Sequence, residues 1–246
     1  MTSKLFVLLI LAAQTISAQP LVKNDWQVMD KKELALLLTG MNDKYQKSNY
    51  YFDVTYSLYS DHTKSGLVEK TTGYAKKYLG NYSGLNNDIL TIQDANFKLI
   101  LDSTEKIIMI RNTDTSFFSL FEYKVLELVE FAMSVKKKRK NNELQVSFEM
   151  NDYKATSYII NIADGKYVSW FEIYFFYNPF EDPLNPDESK VQNKYLLRVD
   201  FSNHNWKYKP GPKDFSMNEI LKMKGNDILV SEAFSDYELM DLRFQY

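Results

Sequence analysis

The chain has 246 residues, 45% of them hydrophobic and 15% aromatic, with a formal net charge of −2 and no cysteine. That excludes disulfides, thiolate metal sites, cysteine nucleophiles and an acylated-cysteine anchor, and a near-neutral charge gives no general reason to bind nucleic acid. A disulfide-free chain of this length must rely on its core, for which eighteen tyrosines, sixteen phenylalanines and three tryptophans supply ample material.

The first residues read as an export signal. Lys4 precedes an uninterrupted apolar stretch from Leu5 to Ala13, and Ile16-Ser17-Ala18 presents small residues before Gln19. This is the pattern of a secretory signal peptide, 1–18, cut after Ala18. The apolar stretch is too short for a membrane span, which needs about 20 residues. Loss of Lys4 with the leader makes the mature charge −3. The expected destination is the periplasm, and the remainder, 19–246, is expected to form one domain.

Asp30 with Glu33 forms a capping-box pattern, and Met29 with Leu34 can staple the entry. Leu34, Leu37, Leu38, Met41 and Tyr45 follow at helical spacing, so a helix is predicted from Asp30 to about Ser48. Period two then takes over. Tyr50, Phe52, Val54, Tyr56 and Leu58 alternate with more polar residues in a half-buried strand. Further strands are predicted at Leu67–Leu79, Ile89–Gln93, Phe97–Leu101 and Lys106–Arg111, with Asp102 to Glu105 turning the last two into a hairpin.

Phe118, Phe121, Val125, Leu128, Val129 and Ala132 return to helical spacing and predict a second helix. The run Lys136-Lys137-Lys138-Arg139-Lys140 reads as its solvated C-terminus, where cations oppose the helix dipole; an anionic surface is the other reading of such a run. Strands resume with Leu144, Val146, Phe148 and Met150, then Tyr158, Ile160 and Ile162 ahead of the hairpin signal Asp164-Gly165. Tyr167–Tyr177 is apolar on both faces. Pro179, Pro183 and Pro186 mark an exposed insertion near 179–192, after which Tyr195, Leu197, Val199 and Phe201 alternate. A short third helix is predicted after Ser216, capped with Glu219, and strands at Asp227–Ser231 and Tyr237–Phe244 close the chain. The predicted fold class is α+β, mainly β: a curved antiparallel sheet or incomplete barrel of about eleven strands with three covering helices.

The sequence offers no catalytic centre. His62 and His204 are the only histidines, and neither has an acid or second histidine at metal-ligand spacing. Nucleophile-elbow, phosphate-loop and zinc-protease motifs are absent, and Glu181-Asp182 and Asp187-Glu188 sit in the proline-rich insertion. Neither enzyme activity, nor a cofactor, nor a bound metal is expected.

The layout resembles the periplasmic lipoprotein-carrier superfamily typified by LolA and LolB. The features that carry this are the leader, the capped helix Asp30 to Ser48, the strand Tyr50 to Tyr59, the strand around Gly73-Tyr74-Ala75-Lys76-Lys77-Tyr78 and the hairpin Phe97 to Arg111. Two departures stand out: Lys76-Lys77 replaces the Arg-Pro pair of the carriers, and no arginine stands between Tyr50 and Tyr59. The resemblance implies a half-barrel whose inner face is filled by side chains or occupied by an apolar ligand. Phe52, Val54, Tyr56, Leu58, Val146 and Phe148 would line it, and Leu38, Met41, Phe121, Val125 and Leu128 would cover it. The implied partner is a lipid, an acyl chain or a lipidated protein. The alternatives are a protein-binding scaffold of an envelope machine and an integral outer-membrane barrel, the latter suggested by Met240, Leu242, Phe244 and Tyr246 but disfavoured by the amphipathic helices and the charged strand Lys70 to Lys77.

Overall fold

The computed structural model describes residues 25–113, 129–150, 155–175, 194–211, 213–224 and 227–243. The expected leader, the insertion near 179–192 and the larger part of the expected second helix, with Phe121, Val125 and Leu128, lie outside the described residues.

Strand β1 (Gln27–Val28) leads into helix α1 (Lys31–Lys47). Asp30 caps α1, its Oδ1 accepting the Lys32 N–H at 2.6 Å, and the Ser48 N–H closes the far end on the Lys44 carbonyl. Glu33 completes no capping box; it pairs with Lys137 at 2.5 Å instead. Six strands, each antiparallel to the one before, follow the helix: β2 (Tyr50–Tyr59), β3 (Leu67–Tyr78), β4 (Asn81–Asn86), β5 (Ile89–Gln93), β6 (Phe97–Asp102) and β7 (Ile107–Asn112); β8 (Ala132–Lys140) is the next described strand. The rest are β9 (Glu143–Met150), β10 (Ala155–Ala163), β11 (Tyr167–Phe175), β12 (Leu196–Asn205), β13 (Leu221–Lys224), β14 (Asp227–Val230) and β15 (Glu238–Asp241).

Thirteen of these strands form one open sheet in the order β1-β8-β9-β10-β11-β12-β2-β3-β4-β5-β6-β7-β15, and β13-β14 is a separate hairpin. The sheet does not close, and β1 and β15 are its edges among the described residues. It is also not wholly antiparallel as predicted: β15 runs parallel to β7, with Glu238 opposite Ile107. The strand count exceeds the predicted eleven because β1, β4, β8 and β13 went unread as strands, and of these β4 is the one that shapes the sheet's open end. Its sequence, Asn-Tyr-Ser-Gly-Leu-Asn, has turn-like composition. Gly73 of β3 makes the close pairing with β4 possible, since a Cβ there would lie 1.8 Å from the Leu85 carbonyl oxygen.

Two helix predictions are corrected. The basic run is not a helix terminus but strand β8, paired with β9 from Lys140 opposite Glu143 to Lys136 opposite Ser147. Helix survives only at Val129–Phe131 among the described residues there. Strand wins because Asn141, at φ 55°, turns the chain directly into β9, and a β-bulge between Ala132 and Ser134 brings Ala132 and Val135 to the same buried face while lysine heads stay at the surface. The predicted third helix is a single turn. The amides of Ile220 and Leu221 both reach the Met217 carbonyl, and Glu219 pairs with Lys213 rather than capping. Leu221 then enters β13 opposite Val230, so strand pairing stops the turn from propagating. One α-helix of substance, α1, and a 3-10 turn at Glu232–Phe234 remain in place of three helices among the described residues.

Hydrophobic side chains gather on opposite faces of the sheet. Under α1, the concave face of β2 and β8–β12 holds a core that includes Leu34, Leu38, Met41, Phe52, Phe148 and Ile160. On the convex face of β5–β7 a second core joins Leu99, Leu101, Ile108 and Ile110 to Ile220 and Leu221 of the C-terminal segment. Register explains the split, because Leu99 faces Ile92 and Ile110 while its neighbours Lys98 and Ile100 point the other way.

Candidate functional site

The predicted lining residues divide between two places on the concave face. Leu38, Met41, Phe52, Val54, Val146 and Phe148 lie within one packed cluster; Leu38 is 0% exposed and Phe148 1%. Phe148 stacks on Tyr158 with ring centres 5.2 Å apart. Under α1 these side chains therefore contact one another.

The C-terminal end of α1 is held down by an aromatic group and a lysine. Tyr45 meets Tyr50, Phe52 and Trp206 edge-on at centroid distances of 5.7, 6.2 and 5.2 Å, and its hydroxyl oxygen accepts the Val168 N–H at 3.3 Å. Lys44 lies 4.5 Å above the Trp206 ring. His204 stacks beside Trp206 and Tyr167, and burial keeps its pKa below the usual value. From β3, buried Lys77 donates to the carbonyls of Tyr45 and Gln46, the first at 3.2 Å. A cation at the negative end of the helix dipole is favourable, and its bonds satisfy carbonyls that no helical amide can reach. The Lys77→Met variant is expected to lose about 2 kcal/mol of stability, read from the urea midpoint, with amide exchange quickening first in the last turn of α1.

At the opposite end of β2 the concave face is open. There a cleft of about 530 Å³ has Tyr56, Leu58, Leu197 and Ile89 as its apolar floor. Leu58 stands directly opposite Leu197 of β12 and Glu69 of β3, and Tyr56 opposite Thr71, so three adjacent strands present these side chains to one face. The rim comes from the β4–β5 and β6–β7 turns. Asn87 turns the first at φ 51°, and Asp102 holds the second by accepting the amides of Thr104 and Glu105, each at 3.0 Å. Glu69, Asp88, Asp102 and Glu105 line the cleft as acids, and no basic residue lines it among the described residues. Of the sequence-predicted residues that are described, only Tyr56 and Leu58 reach this cleft. Its rim escaped prediction because β4 was not recognised, although Asn86-Asn87-Asp88 is a turn signal that could have revealed the hairpin.

Among the described residues no group of three histidines, cysteines or acids is placed to hold a metal ion, and no helix is long and apolar enough to cross a membrane.

No family model and no curated protein matches this sequence. Among solved structures the chain is similar to LprF from Mycobacterium bovis, at 8% identity over 76% of this chain and 99% of that one, with a TM-score of 0.39. It is similar to a putative outer membrane lipoprotein-sorting protein domain from Vibrio parahaemolyticus, at 8% identity over 77% and 98%, TM-score 0.32. The LolA superfamily protein NE2245 from Nitrosomonas europaea matches at 6% identity over 74% and 98%, TM-score 0.32.

Proposed function

We propose that this is an exported, non-catalytic protein of the periplasm that binds a lipid, an acyl chain or a lipidated polypeptide in the open end of its concave face. The observation that carries the reading is the cleft of about 530 Å³ floored by Tyr56, Leu58, Leu197 and Ile89. Small-molecule sites span about 300–1,000 Å³, and an acyl chain gains about 0.8 kcal/mol per methylene removed from water. Eight methylenes on that floor would supply about 6 kcal/mol before the cost of ordering the chain.

Mature protein purified without detergent should carry a lipid or acylated polypeptide visible by native mass spectrometry and recoverable by solvent extraction. Leu197→Asn should abolish that mass while leaving the circular dichroism spectrum unchanged, since Leu197 is only half-buried. An empty protein that also fails to bind a fluorescent fatty-acyl probe would sink the proposal.

A second reading, a scaffold subunit that binds an envelope protein, is favoured by different residues. The space beneath α1 is filled, and Val28, Met133 and Phe131 are 85%, 63% and 54% exposed on the β1–β8 side of the sheet. Exposed apolar side chains grouped at a sheet edge suit a protein partner better than a small ligand.

A further inference from the structure

We propose that the occupant of the concave cleft is a cationic amphiphile: an aliphatic chain lying on the apolar floor with an ammonium-type head group at the rim. This rests on the ligand-binding reading above and adds the charge of the ligand to it. The cleft alone is indifferent to head group; its surroundings are not. Glu69 stands beside Leu58 in the register, and Asp102 stands beside Ile89, so carboxylates border the floor on the β3 side and on the β6 side. Asp88 and Glu105 extend the same rim.

The acids differ in what already engages them. Asp102 is committed to its turn, and Asp88 accepts the Thr104 hydroxyl at 3.3 Å. The carboxylates of Glu69 and Glu105 have no ion-pair or hydrogen-bond partner among the described residues. The lysine next to Glu69, Lys70, falls on the other face of β3, opposite Ser57. Lys106, next to Glu105, is drawn away by its pair with Asp236. An anionic head group would therefore meet four like charges with no counter-ion among the described lining residues, and a neutral one would find no use for them. A cation whose chain is seated on Leu58 and Leu197 would sit a few ångströms from Glu69, in the partly dry surroundings where such attraction is less screened than in water.

The test is isothermal calorimetry of the mature protein with dodecylammonium, dodecanoate and dodecyl maltoside, each below its micelle threshold, and with an oligolysine peptide. Dodecylammonium should bind about tenfold more tightly than dodecanoate, and Glu69→Gln with Glu105→Gln should shrink that ratio to about twofold, as should about 0.5 M salt. Both glutamates are exposed, so the double variant is not expected to disturb folding. Equal binding of the three amphiphiles, or tighter binding of dodecanoate, would overturn the charge assignment while leaving the acyl-binding reading intact. Oligolysine binding as tightly as dodecylammonium would overturn it in favour of a basic polypeptide. No binding by any of the three amphiphiles would overturn both.

Discussion

Phe148→Ala is expected to cost about 3–5 kcal/mol, the range for removing a large aromatic from a core that cannot collapse around the gap. The ring is 1% exposed, lies parallel to Tyr158 and stands opposite Val135 of the basic strand β8. Its neighbours are fixed on both sides: Tyr158 and Val135 belong to paired strands, and α1 above is tied to the sheet by the Glu33–Lys137 pair and by Lys77. Little can move in to fill the void. The measurement is the guanidinium midpoint, with Phe148→Leu showing a smaller loss because it leaves less empty volume. The same variant separates packing from binding. If the residues beneath α1 serve only to pack, protein that remains folded should keep its affinity for an amphiphile at the cleft. A Phe148→Ala protein that is stable yet no longer binds would instead make Phe148 part of the ligand site.

That distinction was not available from sequence. Alternation placed Phe52, Val54, Tyr56 and Leu58 on one face, and their register with β3 and β12 agrees. It could not say that the first two would be covered by α1 while the last two would border open space, because coverage depends on where a helix lands rather than on the strand itself. The capped helix was readable because its cap, staple and stripe coincide within a few residues. The basic run was misread for the opposite reason. Five successive cations carry no period, so the choice between helix terminus and strand fell to the Asn141-Asn142 turn and to Ala132 and Val135, whose spacing of three suits a helix and fits the strand only through the bulge between Ala132 and Ser134. The parallel partner of β7 was hidden for a third reason. Pairing between Ile107 and Glu238 spans most of the chain, and local pattern carries no information about such distant neighbours.

The other large effect is expected on the convex face, where Glu172 of β11 is 2% exposed. Its carboxylate accepts from Arg198 at 2.6 Å, from the Tyr174 hydroxyl at 2.8 Å and from Lys64 at 2.5 Å. Arg198 is itself engaged by Asp200 and lies 4.3 Å from the Trp170 ring centre. Lys64 comes from the β2–β3 loop, which Asp61 shapes by accepting from the amides of Thr63, Ser65 and Gly66. Glu172 thus pins a loop to the sheet through a charge that cannot be left alone. Glu172→Ala should cost about 3 kcal/mol, the lower end for breaking a buried pair, since Arg198 keeps Asp200 and Lys64 can return to water. Replacing Glu172 by Leu and Arg198 by Met together should cost much less than the single change, because no buried charge is then orphaned. The pH dependence follows from the same contacts. Burial alone would raise the Glu172 carboxyl, but the bonds from Lys64, Tyr174 and Arg198 outweigh it and hold the pKa below the usual glutamate value. A depressed folded-state pKa means that this stabilisation is fully present above the unfolded-state value, about 4.3, and is lost as pH falls through the folded one. Urea midpoints followed from pH 7 down to about pH 3 should fall more steeply for the wild type than for Glu172→Gln. Equal slopes would mean that the carboxylate is solvated, and that the loop is held to the sheet by the packing of His62 on Tyr174 instead.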